Sequence, residues 1–216
     1  MTVDFTALLG AWCTAMSLGF VWPQVVRTMR HDTTQGISAF STLHAIVGSS
    51  LWFTYGIHDD TTAVWFSNAS FILAQVLIAT VLRRHGRLTL QMTAGFSLAL
   101  AVILVVILPV DPAMAGTAAI VASATSLVPQ VIHVMRSPNL HGISLLSWGT
   151  SLVSAMSWTL FGWVVGNQTY AALNYFSMPM IAYVITKAAA WRRRNGVPVF
   201  TLRHHPDPDL FLADLT

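Results

Sequence analysis

Pro23-Gln24-Val25 returns as Pro129-Gln130-Val131, and the match continues at one fixed offset of 106 residues. Met29-Arg30 pairs with Met135-Arg136, Gly36-Ile37-Ser38 with Gly142-Ile143-Ser144, and Trp52, Gly56 and Asn68 with Trp158, Gly162 and Asn174. No insertion or deletion breaks that register. A unit this short cannot enclose a site alone, so the two copies are expected to build one fold around a shared seam.

With 55% hydrophobic and only 9% charged residues, that fold is not a soluble one. Apolar stretches near the ~20 residues that cross a bilayer core fall at 5–27, 37–57, 61–82, 90–110, 114–135, 143–165 and 169–190, which predicts an all-α membrane protein with seven transmembrane helices. All eleven Lys and Arg then follow the first, third, fifth and seventh stretches, while Asp59, Asp60 and Asp111 mark the opposite loops. Cations near helix ends favour the cytoplasmic side, so the expectation is a multi-pass protein of the cell membrane with its N-terminus outside and C-terminus cytoplasmic. The formal charge of +3 is thereby a topology signal, with the lipid bilayer and no nucleic acid as partner. The first stretch is too long for a signal-peptide core and lacks a basic leader, so it reads as a retained span. A single cysteine, Cys13, excludes an intrachain disulfide and a cysteine metal cluster; no metal or cofactor is expected.

Three crossings per copy is an odd number, so a second copy following directly would be inverted. The uncharged stretch Met92 to Val110 has no counterpart in either repeat and supplies the correcting crossing. The domain plan is a first triple-helix repeat at 5–86, linker helix 4 at 87–111, a second triple-helix repeat at 112–192 and a cytoplasmic tail at 193–216. The two bundles are parallel, in a 3+1+3 arrangement. The tail is polar and proline-broken, with Phe200, Leu210 and Phe211 as a short amphipathic headgroup contact.

Trp52 sits roughly 8 Å, and Asn68 roughly 10 Å, inside the same end of neighbouring antiparallel stretches, at ~1.5 Å rise per residue. Trp158 and Asn174 repeat this. An amide facing lipid would forgo hydrogen bonds, so the asparagines should face protein or a wet cavity. An indole face stacks on the C–H face of a sugar ring, and an amide donates to and accepts from hydroxyls. The competing interpretation, asparagines bonding neighbouring helices and tryptophans in an interfacial belt, is weakened by the repetition.

The segment Ser50-Leu51-Trp52-Phe53-Thr54-Tyr55-Gly56-Ile57 followed by Asn68, and Ser157-Trp158-Thr159-Leu160-Phe161-Gly162 with Asn174, resemble the SWEET and SemiSWEET sugar transporters of the PQ-loop (MtN3/saliva) group in its two-repeat form. The resemblance covers residues 5 to about 190. It implies that Trp52, Asn68, Trp158 and Asn174 bind the sugar and that Pro23 and Pro129 act as hinges of the inner gate. Many SWEETs carry a gate proline where this chain has Ser41 and Ser147.

Other candidates come from helical spacing. Pro23 and Pro129 deprive the carbonyls of Gly19 and Thr125 of a backbone partner, giving either a hinge or a static kink. Gln24 and Gln130 are expected to hydrogen-bond across helices near that gate. Ser17 and Ser123 either line the pathway or pack helices, with Ser126 on the same face as Ser123 and Gln130. His44, Gly48 and Trp52 form a stripe matched by Thr150, Ser154 and Trp158, which places Gly48, Ser154 and His44 among the substrate-facing candidates. His44 is either a packing residue or a substrate contact with a pH response.

There is no Glu, and every Asp falls in a loop, a terminus or the tail, so no carboxylate is available inside the membrane to couple an ion. The function expected is a facilitative, bidirectional sugar uniporter working by alternating access, with a small neutral mono- or disaccharide between the repeats. The alternatives are a proton-coupled cystinosin-like amino-acid transporter and a non-transporting PQ-loop receptor. An enzyme is not expected, for want of an intramembrane nucleophile and base. Two repeats in one chain suffice for a pathway; a homo-oligomer remains open.

Overall fold

The computed structural model describes residues 4–34, 37–107, 111, 113–141 and 143–199. Gly36, Gly142 and the tail with Phe200, Leu210 and Phe211 lie outside the described residues. Those described form seven helices and no strand: α1 (Phe5–His31), α2 (Ala39–His58), α3 (Thr62–Arg84), α4 (Leu90–Ile107), α5 (Met114–Arg136), α6 (Leu145–Val164) and α7 (Gln168–Arg194). Helix α1 runs through Pro23 rather than stopping near it, because Val21 and Val25 on either side are buried in the bundle. Helix α7 likewise passes Pro179 and ends beyond the expected stretch. Its last turn carries a buried Arg192, whose Nη2 donates to the Ile143 carbonyl at 2.9 Å.

The repeated Ile-Ser pairs, Ile37-Ser38 and Ile143-Ser144, lead into α2 and α6. Ser38 Oγ accepts from the Ser41 N–H at 3.2 Å and Ser144 Oγ from the Ser147 N–H at 3.3 Å, caps worth about 1 kcal/mol each. A proline at position 41 or 147 would have no N–H to give. Ile37 and Ile143 turn into the core just before each cap.

Helix α3 packs on both α1 and α2, and α7 on both α5 and α6; α1 meets α6 and α2 meets α5, closing a ring of six helices. Helix α4 stands outside the ring against α2 and α5. Among the described residues α1, α3 and α5 are each long and apolar enough to cross a membrane unaided, and Leu90–Val106 is apolar but shorter. Helices α2, α6 and α7 carry more Ser, Thr, Tyr and Asn, which a ring can shelter. Leu98, Val102, Val105, Val121 and Phe176 are exposed and belong to the hydrocarbon.

Three apolar cores hold the ring, and their membership is unequal. At the end bearing the Lys and Arg residues, each repeat has its own: Val21, Val25, Leu43, Ile78 and Leu82 in one, Val134, Leu140, Leu145, Val184 and Ala188 in the other. At the opposite, acidic end there is one core for both, joining Leu9, Cys13, Tyr55 and Val64 to Ala115, Phe161 and Tyr170. The repeats are fused at the acidic end and separately packed at the basic end.

Glycine permits the tight acidic-end turns. A Cβ at Gly56 would lie 2.7 Å from the Trp65 nitrogen, and one at Gly162 2.9 Å from the Ala171 nitrogen, so in each repeat the second and third helices approach to backbone contact. Gly56→Ala or Gly162→Ala is therefore expected to destabilise the protein by about 1–3 kcal/mol through overpacking. Thermal unfolding in detergent checks this, and midpoints unchanged in both variants would refute it.

Candidate substrate site

Trp52, Asn68, Trp158 and Asn174 each lie six residues from the acidic-end terminus of their helices. At ~1.5 Å rise per residue this is a common depth of about 9 Å. The ring brings all four onto one cavity of about 150 Å³, which Ser17, Val64, Ser67, Phe71, Tyr170 and Leu173 complete.

The pseudo-symmetry extends to single bonds. Asn68 Nδ2 donates to the Val64 carbonyl at 2.9 Å and Asn174 Nδ2 to the Tyr170 carbonyl at 3.2 Å, each one turn back along its own helix. Each amide thus fixes one N–H locally and keeps the other N–H and Oδ1 for further bonds. Asn174 Oδ1 also accepts from Ser177 Oγ at 3.3 Å, whereas Asn68 Oδ1 has no such donor. The indole N–H groups are bound crosswise. Trp52 Nε1 donates to Ser123 Oγ of the other repeat at 3.0 Å, and Trp158 Nε1 to Ser17 Oγ at 3.3 Å. With their N–H edges tied across the seams, the indoles are held with their rings lining the cavity. Two aromatic surfaces and two part-satisfied amides make a site for a neutral, flat-faced, hydroxyl-bearing solute.

Toward the acidic end the cavity is roofed by aromatics. Tyr55, Phe161 and Tyr170 are buried, with Tyr55 and Tyr170 ring centroids 5.5 Å apart, Phe161 and Tyr170 5.9 Å, and Trp52 and Tyr170 6.2 Å. Above them Asp59 Oδ2 accepts from Tyr170 Oη at 2.6 Å, Asn167 Nδ2 at 2.9 Å and Thr61 Oγ1 at 2.8 Å, and Asn167 Nδ2 also donates to Tyr55 Oη at 2.8 Å. Asp59 belongs to the first repeat and Asn167 and Tyr170 to the second, so this network ties the copies together. Sequence reasoning missed it. The repeat gave no signal for it, because all eleven positions between Gly56 and Asn68, those of Asp59, Tyr170 and Asn167 among them, differ from their counterparts at the 106-residue offset. Gly10 and Gly116, a further match at that offset, let the seams close. A Cβ at Gly10 would lie 3.1 Å from Ala63 and 3.2 Å from Phe161, and one at Gly116 2.7 Å from Thr169 and 3.0 Å from Tyr55.

The remaining candidates are placed as follows. A Cβ on Gly48 would come 3.8 Å from Ser123 Oγ, on the α2·α5 seam. Ser154 is half-buried on α6. His44 is not on the cavity wall; its Nε2 lies 2.7 Å from the Ala122 carbonyl and 3.3 Å from Thr125 Oγ1. Pro23 and Pro129 lie inside α1 and α5 and are exposed, as is Gln24, while Gln130 is half-buried. Among the described residues neither glutamine side chain makes a hydrogen bond to another helix, Gln24 facing outward from α1. No group of His, Cys, Asp or Glu among the described residues could hold a metal ion.

Two parallel three-helix units with a spacer helix, ringed about an aromatic-walled cavity that carries two amides in an apolar chain, define a repeat-built membrane transporter scaffold. Comparison with known proteins gives the family. A model of the PQ loop repeat matches residues 5–76. A SemiSWEET sugar transporter of Escherichia coli (strain UMEA 3162-1) is 32% identical over 88 residues, 40% of this chain and 96% of that shorter protein. The 3.7 Å structure of a eukaryotic SWEET transporter superposes with a TM-score of 0.68 over 88% of this chain and all of that one, at 13% identity. The chain belongs to the SWEET/SemiSWEET family of PQ-loop proteins, multi-pass membrane transporters rather than enzymes.

Proposed function

We propose that this chain is a facilitative, bidirectional sugar uniporter in which the two bundles rock about a site between Trp52, Asn68, Trp158 and Asn174. The observation that carries the reading is the unequal sharing of the cores: one common to both repeats on the acidic side of the cavity, two separate ones on the basic side. Two bundles that share a core at one end alone can exchange that closure for closure at the other, which is alternating access. Pro23 and Pro129, each a missing N–H inside α1 and α5, are the places where those helices can bend. The indole faces and amides suit a neutral sugar, in keeping with the relative named a sugar transporter. With no Glu in the chain and no Asp inside a helix among the described residues, no helical carboxylate there is available to carry a driving proton. The cationic helix ends support a cytoplasmic basic end, with the N-terminus outside the cell membrane in this reading.

Reconstitution in liposomes tests this. Labelled glucose and sucrose are compared with neutral and cationic amino acids, with and without a pH gradient. The expected result is sugar flux down its gradient in either direction, unchanged by the pH gradient between pH 5 and 8. Amino-acid flux that requires protons would overturn it.

A further inference from the structure

The six-helix ring has two seams between the repeats, α1·α6 and α2·α5, and exact duplication would make them equivalent. They are fastened differently. On the α1·α6 seam the cross-repeat hydrogen bonds are Trp12 Nε1 to Ser157 Oγ at 2.9 Å and Trp158 Nε1 to Ser17 Oγ at 3.3 Å. Basic-ward of Ser17 no hydrogen bond joins α1 to α6 among the described residues. Trp22 on that part of α1 instead donates to Ser70 of its own repeat at 3.0 Å.

The α2·α5 seam carries Trp52 Nε1 to Ser123 Oγ at 3.0 Å and, one step further toward the basic end, His44. Its Nε2 lies 2.7 Å from the Ala122 carbonyl and 3.3 Å from the hydroxyl of Thr125, the residue whose own carbonyl Pro129 leaves without its helical partner. Thr150, which stands where His44 would be in the second repeat, turns back onto its own helix at the Leu146 carbonyl, 2.9 Å away. Helix α4 adds a brace that has no counterpart, since it packs on α2 and α5 together. It reaches the histidine through rings: Phe96 meets Phe40 edge-on at 5.3 Å, and Phe40 stacks on His44 at 5.9 Å.

We infer that α2·α5 is the permanent seam of this transporter, held by His44 and the linker helix, and that the basic-end passage opens by parting α1 from α6. His44 is then a positioning residue that fixes the bend of α5 to the first repeat, not a sugar ligand. The inference rests on the alternating-access reading above and adds to it a side on which the passage opens.

The duplication itself supplies the test. Arg30 on α1 and Ser147 on α6 correspond, at the 106-residue offset, to Arg136 on α5 and Ser41 on α2, and all four are exposed. In a Cys13→Ala background, spin labels are placed at Arg30→Cys with Ser147→Cys, or at Arg136→Cys with Ser41→Cys, and pulsed dipolar distances are read in lipid with and without saturating sugar. The expected result is two populations across α1·α6 whose ratio shifts with sugar, and one unshifted population across α2·α5. His44→Ala should split the α2·α5 distance and change the maximal flux several-fold at unchanged KM. His44→Gln, which keeps a side-chain N–H, should restore the single population. Equal shifts across both seams would overturn the inference while leaving alternating access standing, as would a single α2·α5 distance in both His44→Ala and Thr125→Val. Distances static across both seams in a protein that still transports sugar would overturn alternating access and the inference with it.

Discussion

Asn68→Ala is expected to raise the KM for sugar by up to roughly 100-fold, and Asn174→Ala by only about tenfold, each with maximal flux less affected. The two asparagines occupy equivalent places and each gives one N–H to the carbonyl a turn earlier. They differ in what is left. Asn68 keeps an N–H and an unengaged Oδ1, two bonds to sugar hydroxyls at about 1–1.5 kcal/mol each, or a factor of about ten apiece. Asn174 has one lone pair of its Oδ1 taken by Ser177, which leaves that oxygen the poorer acceptor for a sugar hydroxyl. Ser177→Ala, which frees that oxygen, should lower KM. Concentration-dependent uptake into liposomes measures all three. Equal losses in Asn68→Ala and Asn174→Ala would show that the Ser177 contact does not govern sugar binding, and no loss in either would remove the site.

The same two residues show what could be read from the chain alone. A polar side chain repeated at a fixed offset and depth cannot be left facing lipid twice, so the pairing of Trp and Asn followed from periodicity and the cost of burying an amide. The ring followed less readily. That α1 lies against α6 rather than against α5 depends on how triple-helix bundles nest, and each helix pattern is compatible with both neighbours. For that reason Ser17 and Ser123 were recognisable as inward-facing, but not as the crosswise partners of Trp158 and Trp52. Helix ends were blurred by proline and arginine. The span expected at 5–27, with Pro23 near its end, continues to His31 on packing that no local rule sees, and the buried Arg192 extends α7 by binding the carbonyls of a distant loop. Repetition reveals what the halves share and hides what only one of them does. Asp59, Tyr170 and Asn167 were invisible to it, and His44 was visible only as an asymmetry without a partner.

Asp59 carries the other large expected effect. Its Oδ2 collects donors from Tyr170 and Asn167 of the opposite repeat, at 2.6 and 2.9 Å, directly above the aromatic roof of the cavity. Hydrogen bonds to a charged group are worth about 1.5–3 kcal/mol each when sheltered, and Asp59 is exposed, so the pair together is taken at about 2 kcal/mol. That amount moves a two-state equilibrium by about 30-fold. Asp59→Ala should therefore shift the protein toward a state open at the acidic end. With Cys13→Ala and Leu173→Cys placing one thiol on the cavity wall, an impermeant maleimide added on the acidic side should label Asp59→Ala about 30-fold faster than the parent. Asp59→Asn keeps an acceptor oxygen and should fall between the two, as should Tyr170→Phe, which loses one of the two cross-repeat donors but retains the ring against Trp52. Tyr170 also offers its carbonyl to Asn174. A ligand drawing on Asn174 thus pulls on the residue whose hydroxyl closes the roof, and sugar should slow labelling in the parent but not in Asp59→Ala. Labelling rates equal in parent and Asp59→Ala would mean that the aromatic packing of Tyr55, Phe161 and Tyr170 holds this end shut without the carboxylate.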